Sequence, residues 1–168
     1  MARLHALVVA SVLAIVAGGA APAAAEVITL PNTKATVTLG AEWKPITAPS
    51  LVAAYRADGG LVLAITRARV PNIDAWRSKT RDAYVDEIER GVAAKVPGYK
   101  RVSRSIGDAN GVPVLDLEAK RTGGATVVIR VLLYRTYALA LAIEVPRKGD
   151  VAAARAVTKS FASPGRAP

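Results

Sequence analysis

The sequence predicts an α+β fold: an antiparallel meander sheet with one long helix on one face and a short C-terminal helix, together an α/β/α sandwich. Three observations predict it. The stretch YALALAIEV alternates strictly, with Tyr137, Leu139, Leu141, Ile143 and Val145 on one side and Ala138, Ala140, Ala142 and Glu144 on the other, which is the period of a strand. A single segment, from Ile73 to Val92, changes to helical spacing through Trp76, Tyr84 and Ile88. Between the alternating runs stand compact turn signals, Asp58-Gly59-Gly60 and Thr122-Gly123-Gly124.

The chain opens with an exported segment. Arg3 precedes an apolar run from Leu4 to Val16, and the small residues Ala23-Ala24-Ala25 follow. That is the charged, apolar and small-residue order of a secretory signal peptide. The apolar run is shorter than the roughly 20 residues of a membrane span. Residues 1–25 are read as the signal, 26–161 as one α+β domain and 162–168 as a flexible tail. The expected location after cleavage is periplasmic or secreted. Removing 25 residues from 168 leaves 143, enough for one domain with its own core. The sole histidine, His5, and the sole methionine, Met1, leave with the signal, and the chain has no cysteine. Losing Arg3 leaves 22 basic against 13 acidic side chains, a net charge of +9.

The domain begins with two short β-rich runs, Ile28–Pro31 and Ala35–Gly40, and a proline-containing loop through Trp43. Leu51–Ala57 and Leu61–Val70 flank the Asp58-Gly59-Gly60 turn and read as a hairpin. Pro71-Asn72 ends that hairpin, Asn72 or Asp74 can cap the long helix, and Pro97-Gly98 stops it. Four strands then follow as a meander: Tyr99–Ile106, Val112–Arg121, Ala125–Arg135 and Tyr137–Val145, with turns at Gly107–Gly111, Thr122–Gly124 and Thr136. Asp150 caps a short helix whose Val151, Ala154, Val157 and Phe161 share one side.

Short turns would set Leu139, Leu141 and Ile143 beside Leu133, Val131 and Ile129, and these beside Pro113, Leu115 and Leu117. The expectation is one aliphatic slab under the long helix. The second face would carry Asp116, Arg130, Tyr134 and the alanines, partly covered by the C-terminal helix. Small residues there would allow a covering helix to approach closely.

The stretches LPNTKATVTLGAEWKP, NGVPVLDLEAKRTGG and AVTKSF, in this order around one long helix, resemble the PsbP-like α/β/α sandwich domains. Gly111-Val112-Pro113 matches a segment that opens a central strand there, and Ser160-Phe161 matches the close of the last helix. The resemblance covers nearly all of the exported chain. It implies an accessory protein of an exported compartment that acts through protein contact, and it supplies no catalytic residue to carry over.

Composition excludes several chemistries. Without histidine or cysteine after residue 25, there is no Ser-His-Asp triad, no thiol nucleophile and no His/Cys zinc site. Neither a P-loop nor a GxGxxG turn is present. No cofactor is expected. Asp116 and Glu118 share a strand face and could form a hydrolytic carboxyl pair, but the preferred reading sets Asp116 opposite Arg130 as a cross-strand ion pair. Asp82, Asp86, Glu87 and Glu89 could collect calcium, yet their mixture with Arg81 and Arg90 reads better as a solvated helix face.

The expected function is therefore that of a non-catalytic binding protein of the cell envelope, whose partner is another envelope protein. The candidate binding surface is Trp43, Arg67, Arg69, Asp116, Arg130 and Tyr134. Trp43 either plugs the sheet edge or stands exposed in a recognition loop, and Trp76 reads as core. The alternative partner is an anionic lipid or polymer, drawn by Arg67, Arg69, Lys100, Arg101, Arg104, Lys120, Arg121, Arg147 and Lys148. The export signal argues against nucleic acid.

Overall fold

The computed structural model describes residues 25–69 and 81–164. Residues 1–24, where a signal is expected, residues 70–80, with the expected helix start at Asn72, Ile73, Asp74 and Trp76, and residues 165–168 lie outside the described residues. The described residues form two sheets and two α-helices. A hairpin pairs β1 (Glu26–Thr29) with β2 (Thr36–Leu39). The main sheet contains β3 (Lys44–Pro45), β4 (Ala53–Arg56), β5 (Val62–Arg69), β6 (Lys100–Ala109), β7 (Val112–Lys120), β8 (Thr126–Leu133) and β9 (Tyr137–Val145). Its order is β3-β4-β5-β9-β8-β7-β6, and every pairing is antiparallel. Helix α1 spans Arg81–Ala93 and α2 spans Val151–Ser160.

The predicted α+β sandwich is therefore the fold, and the last strand of the meander closes against the β4–β5 hairpin through β5–β9. Local chemistry accounts for most element ends. Asn110 and Gly111 both have positive φ, 57° and 82°, the backbone of a type I′ turn. The hairpin consequently runs on to the Ala109–Val112 pair, and the turn is shorter than the expected Gly107–Gly111. Asp150 caps α2 by accepting from the Ala153 backbone N–H at 3.0 Å. The edge strand β6 carries a bulge between Arg101 and Ser103 and a row of cationic side chains, both of which discourage edge-to-edge pairing.

The β8–β9 register corrects the expected slab. The β7–β8 pairing sets Leu115 opposite Val131 and Leu117 opposite Ile129, as expected. At β8–β9, however, Leu132 pairs with Leu139, Arg130 with Leu141 and Val128 with Ile143. Leu141 and Ile129 thus lie on opposite faces. The cause is a two-residue connection, Arg135-Thr136, closed by the Tyr134 N–H donating to the Tyr137 carbonyl at 2.9 Å. A turn one residue different moves every side chain of the following strand to the other face.

Only β9 is reversed as a result: the Leu115, Leu117, Ile129 and Val131 face of β7 and β8 lies under α1, and the Asp116 and Arg130 face under α2, as expected. The large residues Leu139, Leu141 and Ile143 join Leu63, Ile65, Val128 and Leu132 under α2 and the β1–β2 hairpin, with Ala154, Phe161, Leu30 and Val37 packed onto them. The alanine face of β9 joins Leu115, Leu117, Ile129 and Val131 under Tyr84 and Val85 of α1. The long helix therefore covers the alanine side, and the short one covers the Leu/Ile side. The expected close approach over alanine is also reversed, since α2 lies near β2, β8 and β9 while α1 rides farther from the sheet.

Candidate functional site

The expected binding residues divide between two structural roles and one exposed end of the sheet. Arg130 grips Asp116 with two parallel hydrogen bonds, Nε to Oδ1 at 2.7 Å and Nη2 to Oδ2 at 2.9 Å. Its Nη1 donates to the Lys159 carbonyl at 2.9 Å and more weakly to that of Phe161 at 3.4 Å. The guanidinium thereby satisfies orphan carbonyls at the C-terminal end of α2. Arg155 on α2 makes a second forked pair with the buried Glu118, at 2.8 and 3.0 Å. These two clamps fasten α2 to β7 and β8. Neither Asp116 nor Glu118 is a free acid or base, so the hydrolytic reading of this pair loses its groups. The Asp116 and Arg130 face is covered by α2, the helix expected to cover it, and both side chains are engaged within the fold.

Trp43 is 7% exposed and belongs to the core beneath the β1–β2 hairpin. Of the two alternatives, it is buried and does not stand exposed in a loop. Tyr134 is buried too, stacked on Tyr137 with ring centroids 4.7 Å apart. Burial first, and then the neighbouring Tyr137, push its hydroxyl above the ordinary tyrosine value, against a lowering contact from Ser163. Arg67 lies over the Tyr137 ring at 4.0 Å, within cation–π range. Arg67 and Arg69 are exposed at the end of β5, and Arg135 is exposed in the adjoining β8–β9 turn. This end of the sheet retains surface cations.

The opposite layer is fastened by a second ionic group. Glu89 of α1, 8% exposed, accepts from the Tyr99 hydroxyl at 2.8 Å, from Arg101 at 2.8 Å and from Arg104 at 3.0 Å. Asp86 accepts from Arg104 as well. Desolvation pushes the Glu89 carboxyl up, but the bonds from Tyr99, Arg101 and Arg104 outweigh it and leave the group below the ordinary value. Burial, followed by the bond to Glu89, raises the Tyr99 hydroxyl well above the usual tyrosine range. Asp86 is lowered chiefly by its hydrogen bond to Arg104. Two carboxylates considered for calcium are thus arginine partners, and among the described residues no group of three or more acidic or histidine side chains could hold a metal ion. Arg101 and Arg104, two members of the expected basic patch, are internal fasteners of α1.

Between α1 and the alanine face lies a cleft of about 760 Å³. Ala64 and Ala68 of β5 meet Ala142 and Ala138 of β9 directly across the pairing, so the cleft floor is made of methyl groups. Ile88 and Val92 form its roof, with Tyr84 toward the start of α1. Gly91 faces it as well, and a Cβ there would meet nothing within 4 Å. Lys95, Arg121 and Glu144 lie at the end where α1 finishes, Arg121 and Glu144 being ion-paired. Sequence reasoning missed this cleft. The signal was present, because alanines alternate on β5 as well as on β9, but small side chains describe a close helix and a distant one equally well.

Seven antiparallel strands between a long and a short helix, with the β1–β2 hairpin packed beside the short one, define a PsbP-like α/β/α sandwich. The solution structure of cyanobacterial PsbP (CyanoP) from Synechocystis sp. PCC 6803 is similar to this chain with a TM-score of 0.60, at 13% identity, over 87% of this chain and 96% of that one. No protein-family model matches the chain, and no curated protein matches it in sequence. The expected PsbP-like fold is therefore present. The Gly111-Val112-Pro113 segment opens β7, which lies next to the sheet edge and not at its centre. The Ser160-Phe161 pair closes α2, with Phe161 fully buried and the Ser160 Oγ accepting from the Thr38 N–H at 3.0 Å.

Proposed function

We propose that this chain is an exported accessory protein that works by binding a protein partner in the cell envelope and performs no catalysis. The observation that carries this reading is the use of its acidic groups. Asp86, Glu89, Asp116, Glu118 and Glu144 are all held by arginines, in a chain whose only histidine is His5 and which lacks cysteine. The similarity to cyanobacterial PsbP supports an accessory role, and the apolar run followed by Ala23-Ala24-Ala25 supports export. The contact surface is the cationic end of the sheet, where Arg67 lies over Tyr137 and Arg69 and Arg135 are exposed nearby. Arginine beside an aromatic ring is a common anchor of protein interfaces.

The test is affinity capture from an envelope extract with the wild type and with the Arg67→Glu/Arg69→Glu variant. A discrete partner enriched by the wild type and lost from the variant is expected. Equal recovery by both, or no enrichment, would reject this surface as the contact.

A second reading rests on the net charge of +9 that remains without residues 1–25 and the same exposed arginines. The end of the sheet would then bind anionic lipid or envelope polymer. Such binding must fade between low and physiological salt, which co-sedimentation with anionic vesicles measures. Salt-insensitive or absent sedimentation removes it.

A further inference from the structure

Tyr84 is 7% exposed, and among the described residues its hydroxyl has no hydrogen-bond partner. A buried polar group without a partner is uncommon in a folded protein, because its water is lost with nothing in return. Tyr84 lines the cleft between α1 and the alanine floor. Burial first, then the Glu87 charge, raises this phenol above the ordinary tyrosine value, so it is a neutral donor. Two independent features therefore meet in one place: an apolar trough and an unsatisfied hydroxyl.

The size and lining narrow the ligand. A cleft of about 760 Å³ falls within the roughly 300–1,000 Å³ of small-molecule sites. Its floor and roof are aliphatic, supplied by Ala138, Ala140 and Ala142 below and by Ile88 and Val92 above. Arg67 and Arg69 of β5 border the cleft, but they alternate with Thr66 and Ala68 and leave the strand on the α2 side of the sheet, where Arg67 is stacked over Tyr137. A charged head against this aliphatic floor and roof would be desolvated at far greater cost than a neutral one.

We propose that the cleft between α1 and the alanine face of β5 and β9 is a binding site for a neutral single-chain aliphatic molecule, with its chain along the alanines and one hydroxyl or carbonyl oxygen hydrogen-bonded to Tyr84. This goes beyond the protein-contact reading and uses the other face of the sheet. Gly91 gives a direct probe of it. A side chain at this position projects into open cleft, so Gly91→Leu fills the site, and leucine is also a better helix former than glycine.

The experiment is displacement of Nile red from the purified protein by 1-dodecanol and by dodecane, followed by fluorescence. The wild type is expected to bind both saturably. Gly91→Leu is expected to weaken both at least about tenfold while its melting temperature does not fall, since occlusion of an apolar site removes the burial that drives binding. Ala140→Leu fills the cleft from the floor and should act in the same direction if Gly91→Leu misfolds. Tyr84→Phe is expected to weaken dodecanol by about five- to tenfold, the worth of one hydrogen bond, and to leave dodecane unchanged. Absence of saturable displacement from the wild type would overturn the site. So would a folded Gly91→Leu protein that binds as the wild type does, and equal dodecanol affinity in Tyr84→Phe would overturn the role of the hydroxyl.

Discussion

Arg130 joins three elements through one planar group: it holds Asp116 of β7 at 2.7 and 2.9 Å while donating to the Lys159 carbonyl of α2 at 2.9 Å. A single side chain on β8 thus sets both a cross-strand pair and the seat of a helix end. With Arg130 mostly buried and Asp116 about a third exposed, Arg130→Ala is expected to cost about 2–3 kcal/mol, less than a fully buried pair would. The melting midpoint should fall by roughly 6–10 °C. Arg130→Lys should recover little, because an ammonium cannot serve the carboxylate fork and the helix carbonyl together. Thermal unfolding of the two variants checks both expectations.

Glu89 makes the attachment of α1 sensitive to acid. Its carboxyl is lowered in the folded protein, despite desolvation, by Tyr99, Arg101 and Arg104. A depressed acid stabilises the fold at pH values above its unfolded value near 4.5. That contribution disappears as pH drops through the lower folded value. Glu89→Gln should therefore melt below the wild type at pH 7, with the gap narrowing as pH falls from about 5 toward 3. A gap independent of pH would show that the loss is one of packing and not of charge.

The Asn110-Gly111 turn depends on a residue that tolerates left-handed backbone. Gly111 has φ of 82°, where a Cβ is sterically disfavoured. Gly111→Ala is expected to destabilise by about 1–2 kcal/mol, read from chemical denaturation. The Asn110 side chain also donates to the Ser163 carbonyl at 2.9 Å, so the strain would reach the C-terminal segment.

Gly91→Ala should have the opposite sign. Gly91 is inside α1, and nothing lies within 4 Å of a Cβ built there. Replacement by alanine should stabilise by about 0.5–1 kcal/mol through helix propensity alone. A denaturation midpoint unchanged or lowered would show that the glycine serves a close packing contact.

Processing at the N-terminus gives an independent check on export. N-terminal sequencing of the protein recovered from the expressing cell's envelope is expected to begin at Glu26, after the Ala23-Ala24-Ala25 site. A chain that retains Met1 would contradict cleavage.

Much of the architecture was legible because it depends on local chemistry. Alternation marked β5 and the meander β6 to β9, Asp58-Gly59-Gly60 marked the first hairpin, and Asp150 marked the start of α2. The Asp116–Arg130 pair was legible from the length of the Thr122–Gly124 turn, which fixes the β7–β8 register. Glu118 was not legible as a partner of Arg155, because 37 residues and a helix orientation separate them. The same holds for Glu89 with Arg101 and Arg104, which read separately as a mixed helix surface and a basic strand. Trp43 was ambiguous in a polar, proline-containing loop, and only the layer above it buries it.

By itself, the sequence determined which segments are strands and helices, that histidine and cysteine chemistry is absent beyond residue 25, and that β9 has one bulky and one alanine face. The tertiary structure decided which helix covers each of those faces. Both sides of β7 and β8 are rich in aliphatic residues, so polarity did not distinguish one β8–β9 register from the other. The two-residue Arg135-Thr136 connection, with no glycine or asparagine to announce it, made the choice and put the alanines beneath the more distant α1.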